Sequence, residues 1–506
     1  MLRPLRVLMV SAEVESFART GGLGDVAEAL PRALAALGAD VLVATPLYGV
    51  TRVPSGAKRW RESLEARVGW GPDDVHRFDV VEVEGAVPAA AGASGRLRFC
   101  LLDEPSLFAR QGIYGDARGL FPDNLRRFAT LSRGALAIAE RAWGSVEAPG
   151  GGPDVVHAHD WHAALAVLYP KLVMGAAWRA RPSVFTIHNL GYQGAGDFAD
   201  VDRLGIPRAA WTEGWVQHDG RLNLMKAGIE LAERVTTVSA TYAREILAPD
   251  AGFGLDAHLR WHASKLVGIV NGIDTASFDP AVDPAIARRY DERSATEGKL
   301  ACRRALATAV GLDGDAPMFA SVSRFTPQKG LDLVASIAPG LVERGASLLL
   351  VGQGDADLET SMRALAARFP GRVALKVTFD PALARRVFAG ADFVLVPSRY
   401  EPCGLTQMYA MRYGAAPIVT PVGGLRDTVV PWDPPLGSGT GFVAEATTAH
   451  AIWLACDEAL RVHADPADFR TLVSHAMARD SGWKKSAERY VALYEELSPP
   501  RSRAIE

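Results

Sequence analysis

Short, unbroken apolar runs alternate along the chain with segments of helical spacing, and the alternation restarts once. The run at 6–10 is continuous rather than alternating, and further strand-like runs lie at 40–44, 154–157, 183–188 and 234–239. That pattern suits parallel strands covered on both faces. Helical spacing follows at 26–37, from 161 and from about 240. After Gly272 the pattern begins again, with runs at 317–322, 347–351, 373–377, 392–396 and 416–420 and helical segments after 330 and over 404–411. Strands alternating with helices predict an α/β chain with parallel sheets. Its 506 residues exceed what one core supports.

The expected division is a first domain over 1–265, a second over 266–478, and a tail over 479–506. The tail has helical spacing at Trp483, Ala487, Tyr490, Val491 and Tyr494. Residues 62–100 are less regular and predict hairpin-like elements. The Ala/Gly-rich stretch 85–95 reads as a surface loop, and Pro499-Pro500 as a frayed end. In doubly wound folds, ligand-binding loops gather at the carboxyl ends of the strands.

Composition excludes several classes. Lys+Arg total 55 against Asp+Glu 58, with no clustered basic footprint, so no nucleic-acid partner is expected. Cys100, Cys302, Cys403 and Cys456 have neither metal-ligand spacing nor the number for a disulfide scaffold. The apolar run 7–12 is too short for a leader or a membrane span. A reducing, cytoplasmic setting without membrane attachment is the default expectation. Nothing in the sequence specifies an oligomeric state.

Four loops carry candidate chemistry. Arg19-Thr20-Gly21-Gly22-Leu23-Gly24-Asp25 precedes a helix, where glycines and unpaired N–H groups suit an anion; a purely structural turn is equally open. It is neither a dinucleotide fingerprint nor a Walker loop. His157-Ala158-His159-Asp160-Trp161-His162 suits a pocket for sugar hydroxyls or satisfied structural donors, and no carboxylate set supports a metal there. Thr186-Ile187-His188-Asn189 ends another strand and could line the same pocket. Arg324 and Lys329 bracket a turn, able to grip a phosphate or simply to face solvent. The run 397–411 places Glu401 at a strand-to-helix junction. Gly404 and Leu405 can aim N–H groups from there, and Thr406 can add a further hydrogen bond.

In this order and combination, these segments resemble the bacterial glycogen synthases and plant starch synthases, over about residues 5–495. The chain looks most like the bacterial, ADP-glucose-using branch. The resemblance implies a GT-B fold, with two Rossmann-like domains facing a central cleft and a C-terminal helix crossing back to the first domain. It implies that Arg19, Gly21 and Gly22 bind the donor diphosphate with Asp25 nearby, and that Arg324 and Lys329 hold the same group. Asp123 would lie near the glucose or acceptor, and His159 would contact the transferred glucose. Glu401 would bind glucose hydroxyls, with Cys403, Gly404, Leu405, Thr406 and Tyr409 beside it and Gly423-Gly424 shaping the pocket. The implied partners are a nucleotide-sugar donor, ADP-glucose, and an α-1,4-glucan acceptor extended with retention at its nonreducing-end 4-hydroxyl. No cofactor and no metal are implied.

Two positions stand out. Arg19 replaces the family's usual lysine, and Tyr409 stands where many other retaining enzymes of this fold carry a second glutamate. Another nucleotide sugar, a small acceptor or a silent glucan-binding protein are the alternatives. Dinucleotide oxidoreduction is disfavoured by the loop pattern.

Overall fold

The computed structural model describes residues 3–72, 74–87 and 95–498. Most of the 85–95 stretch and the Pro499-Pro500 end lie outside the described residues. The chain forms two compact units. The first contains the chain through Val238, then Ala243–Gly272, and resumes at Trp483. The second contains Ser239–Tyr242 and Ile273–Gly482.

The first unit is built on a ten-stranded sheet. Its main strands are β1 (Arg6–Val10), β2 (Asp40–Pro46), β3 (Val75–Glu84), β4 (Arg96–Asp103), β5 (Val155–His159), β6 (Ser183–Ile187), β7 (Arg234–Thr237) and β8 (Leu266–Gly268). They lie in the order β8-β7-β6-β5-β1-β2-β4-β3. All pairings from β8 to β4 are parallel. The irregular 62–100 region is antiparallel: β3 pairs with β4 and with the short strands Lys58–Arg59 and Leu64–Arg67. One core joins Val7, Met9, Val41, Val43 and Val155 to Val26, Leu30 and Leu34 of the helix Gly22–Ala36. Ala487, Tyr490, Leu493 and Tyr494 of the C-terminal helix Lys484–Leu497 complete it.

The division falls after Gly272, not after 265 as expected from the sequence. Leu266–Gly268 extends the first sheet by pairing with β7, so the first unit keeps that segment. Ile273 bonds instead to Ser481 and lies beside Gly482. The tail likewise rejoins the first unit at Trp483 rather than at 479, where its buried aromatic spacing begins.

The second unit carries six parallel strands: β9 (Met318–Val322), β10 (Ser347–Gly352), β11 (Val373–Val377), β12 (Phe393–Val396), β13 (Ala416–Val419) and β14 (Phe442–Val443). Their order is β11-β10-β9-β12-β13-β14, the doubly wound Rossmann arrangement. Phe319, Leu348, Leu350, Phe393 and Leu395 enter one core. Met318, Ala320, Leu349, Val351 and Val394 enter the opposite one. Successive strand residues point to opposite faces, so burial on both faces requires the unbroken apolar runs seen in the sequence. Among the described residues, no helix is long and apolar enough to cross a membrane.

Candidate active site

In each unit the strand order reverses at one place, and loops leaving the strands there define a crevice for ligands. In the second unit this point lies between β9 and β12, which launch loops 323–330 and 397–405. Lys329 Nζ donates to Glu401 Oε2 at 2.5 Å, and Ser398 Oγ donates to the same oxygen at 2.9 Å. Only 17% of the Lys329 side chain and 10% of that of Glu401 remain accessible, so the pair is largely desolvated.

The two loops are fastened independently of that pair. Arg399 N–H donates to the Gln328 carbonyl at 2.8 Å, and Gln328 Nε2 donates to the Tyr400 carbonyl at 3.0 Å. The Arg399 guanidinium grips both Asp332 oxygens, at 2.9 and 2.6 Å. These bonds hold the Asp332 carboxyl below its usual range. Arg324 stands exposed at the start of the same loop.

Glycines permit the close approach. Gly330 has φ +66°, and a Cβ there would lie 2.1 Å from the Pro397 carbonyl oxygen. Gly423 has φ +44°, and its Cβ would lie 2.0 Å from the Glu401 carbonyl oxygen. Gly424 N–H donates to that same oxygen at 3.1 Å. Cys403 is buried, whereas Gly404, Leu405 and Thr406 are half-buried where the helix Thr406–Arg412 begins. Gln407 ties this turn down by donating to the Gly404 carbonyl at 2.8 Å and to Thr428 Oγ1 at 2.9 Å. The Tyr409 ring stacks on Phe278 at 4.0 Å.

The first unit reverses between β1 and β5. Beyond β1, the buried Glu13 carboxylate organises the glycine loop. It accepts from Thr20 N–H at 2.6 Å, Thr20 Oγ1 at 2.9 Å, Gly21 N–H at 3.1 Å and Tyr114 OH at 2.6 Å. Gly21 N–H is therefore committed to Glu13, and the helix starts at Gly22. Arg19 bridges Glu15 at 2.8 Å and Asp25 at 2.7 Å. Burial pushes Asp25 up to about 7 against the opposing charge of Arg19.

Within β5, His157 bonds Thr186 Oγ1 at 2.6 Å through one ring nitrogen and Tyr494 OH at 2.7 Å through the other. His159 Nδ1 lies 2.9 Å from His188 Nε2. His159 Nε2 is buried with no hydrogen-bond partner among the described residues. Burial drives His157, His162 and His188 down to about 3 and His159 well below its ordinary value. These rings are neutral hydrogen-bonding groups near pH 7, not cations. Asp160 follows with φ +57° and accepts from His188 N–H at 2.7 Å. Its burial raises it to about 7. Asp123 is gripped by both terminal nitrogens of Arg110, at 2.7 and 2.6 Å.

The structure thus joins Lys329 to Glu401 in one unit, and Arg19 to Asp25 in the other. Sequence reasoning missed Glu13, and it gave Ser398 and Asp160 no role of their own although both lie in segments it singled out. Each directly follows or nearly follows a buried strand, where a polar residue is a usable signal. It carried no hint of the partner.

Comparison with known proteins identifies the family. A model of the starch synthase catalytic domain matches residues 6–261, and a model of glycosyl transferases group 1 matches 303–471. A glycogen synthase of Myxococcus xanthus (strain DK1622) is 42% identical over 501 residues, covering 97% of this chain and 99% of that protein. One from Anaeromyxobacter dehalogenans (strain 2CP-C) is 41% identical, covering 98% and 100%. The solved catalytic domain of starch synthase IV from Arabidopsis thaliana, bound to ADP and acarbose, superposes with a TM-score of 0.86 at 29% identity, covering 98% and 99%. Sucrose-phosphate synthase from Thermosynechococcus elongatus shares the fold, with a TM-score of 0.58 at 19% identity over 97% and 99%. The chain belongs to the family of bacterial glycogen synthases and plant starch synthases, glycosyltransferases of the GT-B fold.

Proposed function

We propose that the chain transfers glucose from ADP-glucose to the nonreducing-end 4-hydroxyl of an α-1,4-glucan, with retention of configuration. The carrying observation is Lys329 paired with Glu401 at the switch point of the second sheet. A cation suited to a departing diphosphate, beside a carboxylate suited to sugar hydroxyls, supports this reading. The likeness to a starch synthase solved with ADP and acarbose supports the same reading.

In this mechanism Lys329 and Arg324 stabilise the negative charge that ADP gains as it leaves. Arg19, released from Glu15 and Asp25, adds to that charge, and the helix start at Gly21-Gly22 supplies N–H groups not taken by Glu13. Gly404, Leu405 and Thr406 bind the donor around the second helix start, with Cys403 and Tyr409 behind them. Glu401 accepts hydrogen bonds from the glucose. The unpartnered Nε2 of His159 bonds a glucose hydroxyl as a neutral imidazole, and Asp123 acts near the acceptor. The acceptor hydroxyl attacks on the face that the diphosphate leaves and gives its proton to a diphosphate oxygen. Glu401 already accepts from Lys329 and Ser398, and it is assigned no role as a covalent nucleophile.

The test is primer elongation by the purified protein with ADP-glucose or UDP-glucose, with product linkage read by NMR. ADP-glucose should support elongation with new α-1,4 bonds, and a chelator should leave the rate unchanged. Elongation with UDP-glucose alone would overturn the donor assignment. A β-linked product would overturn retention, and no elongation with either donor would overturn the enzymatic reading.

A further inference from the structure

We propose that Glu230, His258 and His262 in the first unit form a binding site for one divalent transition-metal ion of the zinc class. Among the described residues, they are the one group of at least three His, Cys, Asp or Glu side chains whose ligand atoms all lie within 4.8 Å of one another. His258 and His262 are four residues apart, on and at the end of the helix Asp256–Trp261, so both face the same side. Glu230 comes from the helix Leu224–Leu231.

The distances suit a shared ion. Glu230 Oε2 lies 3.5 Å from His258 Nε2 and 2.9 Å from His262 Nε2. Ligands held at about 2.0–2.1 Å around a tetrahedral zinc are separated by roughly 3.3–3.4 Å. The hydrogen bonding also leaves a gap that an ion would fill. The His258 ring bonds the Lys226 backbone, whereas its Nε2 is buried without a hydrogen-bond partner among the described residues and faces a carboxylate oxygen. A second-site bond that fixes the free nitrogen is the usual support of a metal-bound imidazole.

The local cations do not block the site. Lys226 Nζ is turned onto the Gln217 carbonyl at 2.8 Å, and Lys265 Nζ onto the Glu230 and Ala232 carbonyls at 2.7 and 3.0 Å. Three protein ligands leave one position for solvent, and the side chains of His258, His262 and Glu230 keep 14%, 14% and 24% of their surface accessible. Leu259 follows His258 where a hydrolytic HExxH motif carries its glutamate, so that motif's general base is lacking. Its effect is to tie the helix Leu224–Leu231 to the segment leading into β8.

The experiment is calorimetric titration of the full, chelator-treated protein with zinc chloride, with cobalt(II) absorption reading the coordination. One saturable equivalent per chain, with the visible bands of four-coordinate cobalt and a raised Tm, is expected. Loss of an outer partner costs about 10–100-fold in metal affinity, so His262→Ala and Glu230→Gln should each weaken binding by more than about 100-fold. Circular dichroism checks their folding, and the size-conserving Glu230→Gln decides if His262→Ala does not fold. No saturable binding, or unchanged affinity in the folded variants, would overturn the site.

Discussion

Lys329 Nζ and Glu401 Oε2 are 2.5 Å apart, although 72 residues separate them in sequence. Each neutralises the other in a largely desolvated setting, so neither can be replaced without disturbing its partner. Lys329→Ala should lower kcat by about 10²–10³, the usual cost of losing a well-placed transition-state group. Glu401→Gln should also lower kcat more than it raises KM. The double variant should lose less than the product of the single losses, because the two groups share one interaction. Cys403→Ser, at a position with no covalent task, should keep substantial activity. Steady-state kinetics for donor and glucan check this, and near-normal kcat in the folded single variants would remove the pair from the reaction.

Ser398→Ala isolates the hydroxyl that donates to the same Glu401 oxygen. A hydrogen bond to a charged group contributes about 1.5–3 kcal/mol. The variant should therefore lose about tenfold or more in kcat while still folding. Its loss should stay below that of Glu401→Gln. A rate equal to the parent's would mean that Lys329 alone positions the carboxylate.

Asp160→Asn should change how stability depends on pH. Burial raises the Asp160 carboxyl from an ordinary 3.8 to about 7. Between those values the native chain holds a proton that the unfolded chain has released. Stability therefore falls as pH rises through that window, by about 1.4 kcal/mol per pH unit. Asparagine tolerates the φ of +57° and can still accept from His188 N–H, but it has no proton to lose. The neighbouring imidazoles act in the opposite sense. His157, His162 and His188 fall from 6.5 to about 3, so their contribution is lost as pH drops below about 6.5. They are present in both proteins and largely cancel in the difference. Urea unfolding from pH 4 to pH 7 should show the parent losing stability relative to Asp160→Asn, and parallel profiles would refute the assignment.

Gly423→Ala should be far more harmful than Gly437→Ala. Both glycines have positive φ, +44° and +54°. A left-handed conformation costs an L-residue about 1–2 kcal/mol. Only at Gly423 would the new Cβ also meet the Glu401 carbonyl oxygen, at 2.0 Å, whereas nothing lies within 4 Å at Gly437. Gly423→Ala should lower both Tm and kcat, whereas Gly437→Ala should lower Tm modestly and leave kcat intact. Thermal melts and kinetics of the two proteins separate the cases.

The sequence by itself determined the parallel strands and the loops that leave them. Val394 and Leu395 point into opposite apolar cores, and this two-sided burial writes an unbroken apolar run that can be read locally. The glycine loop, the 323–330 turn and the Glu401 junction were legible for a related reason, since special backbone geometry and charge at strand ends demand particular residue types at fixed spacing. Only the tertiary structure decided which polar groups meet. It gave Arg19 to Glu15 and Asp25, committed Gly21 N–H to Glu13, and brought Tyr494 to His157 across 337 residues. It also moved the unit boundary to Gly272 by pairing Leu266–Gly268 with β7. Hydrophobic periodicity records the environment of one segment, whereas a hydrogen bond between distant side chains depends on how whole sheets and helices pack, and no local pattern encodes that.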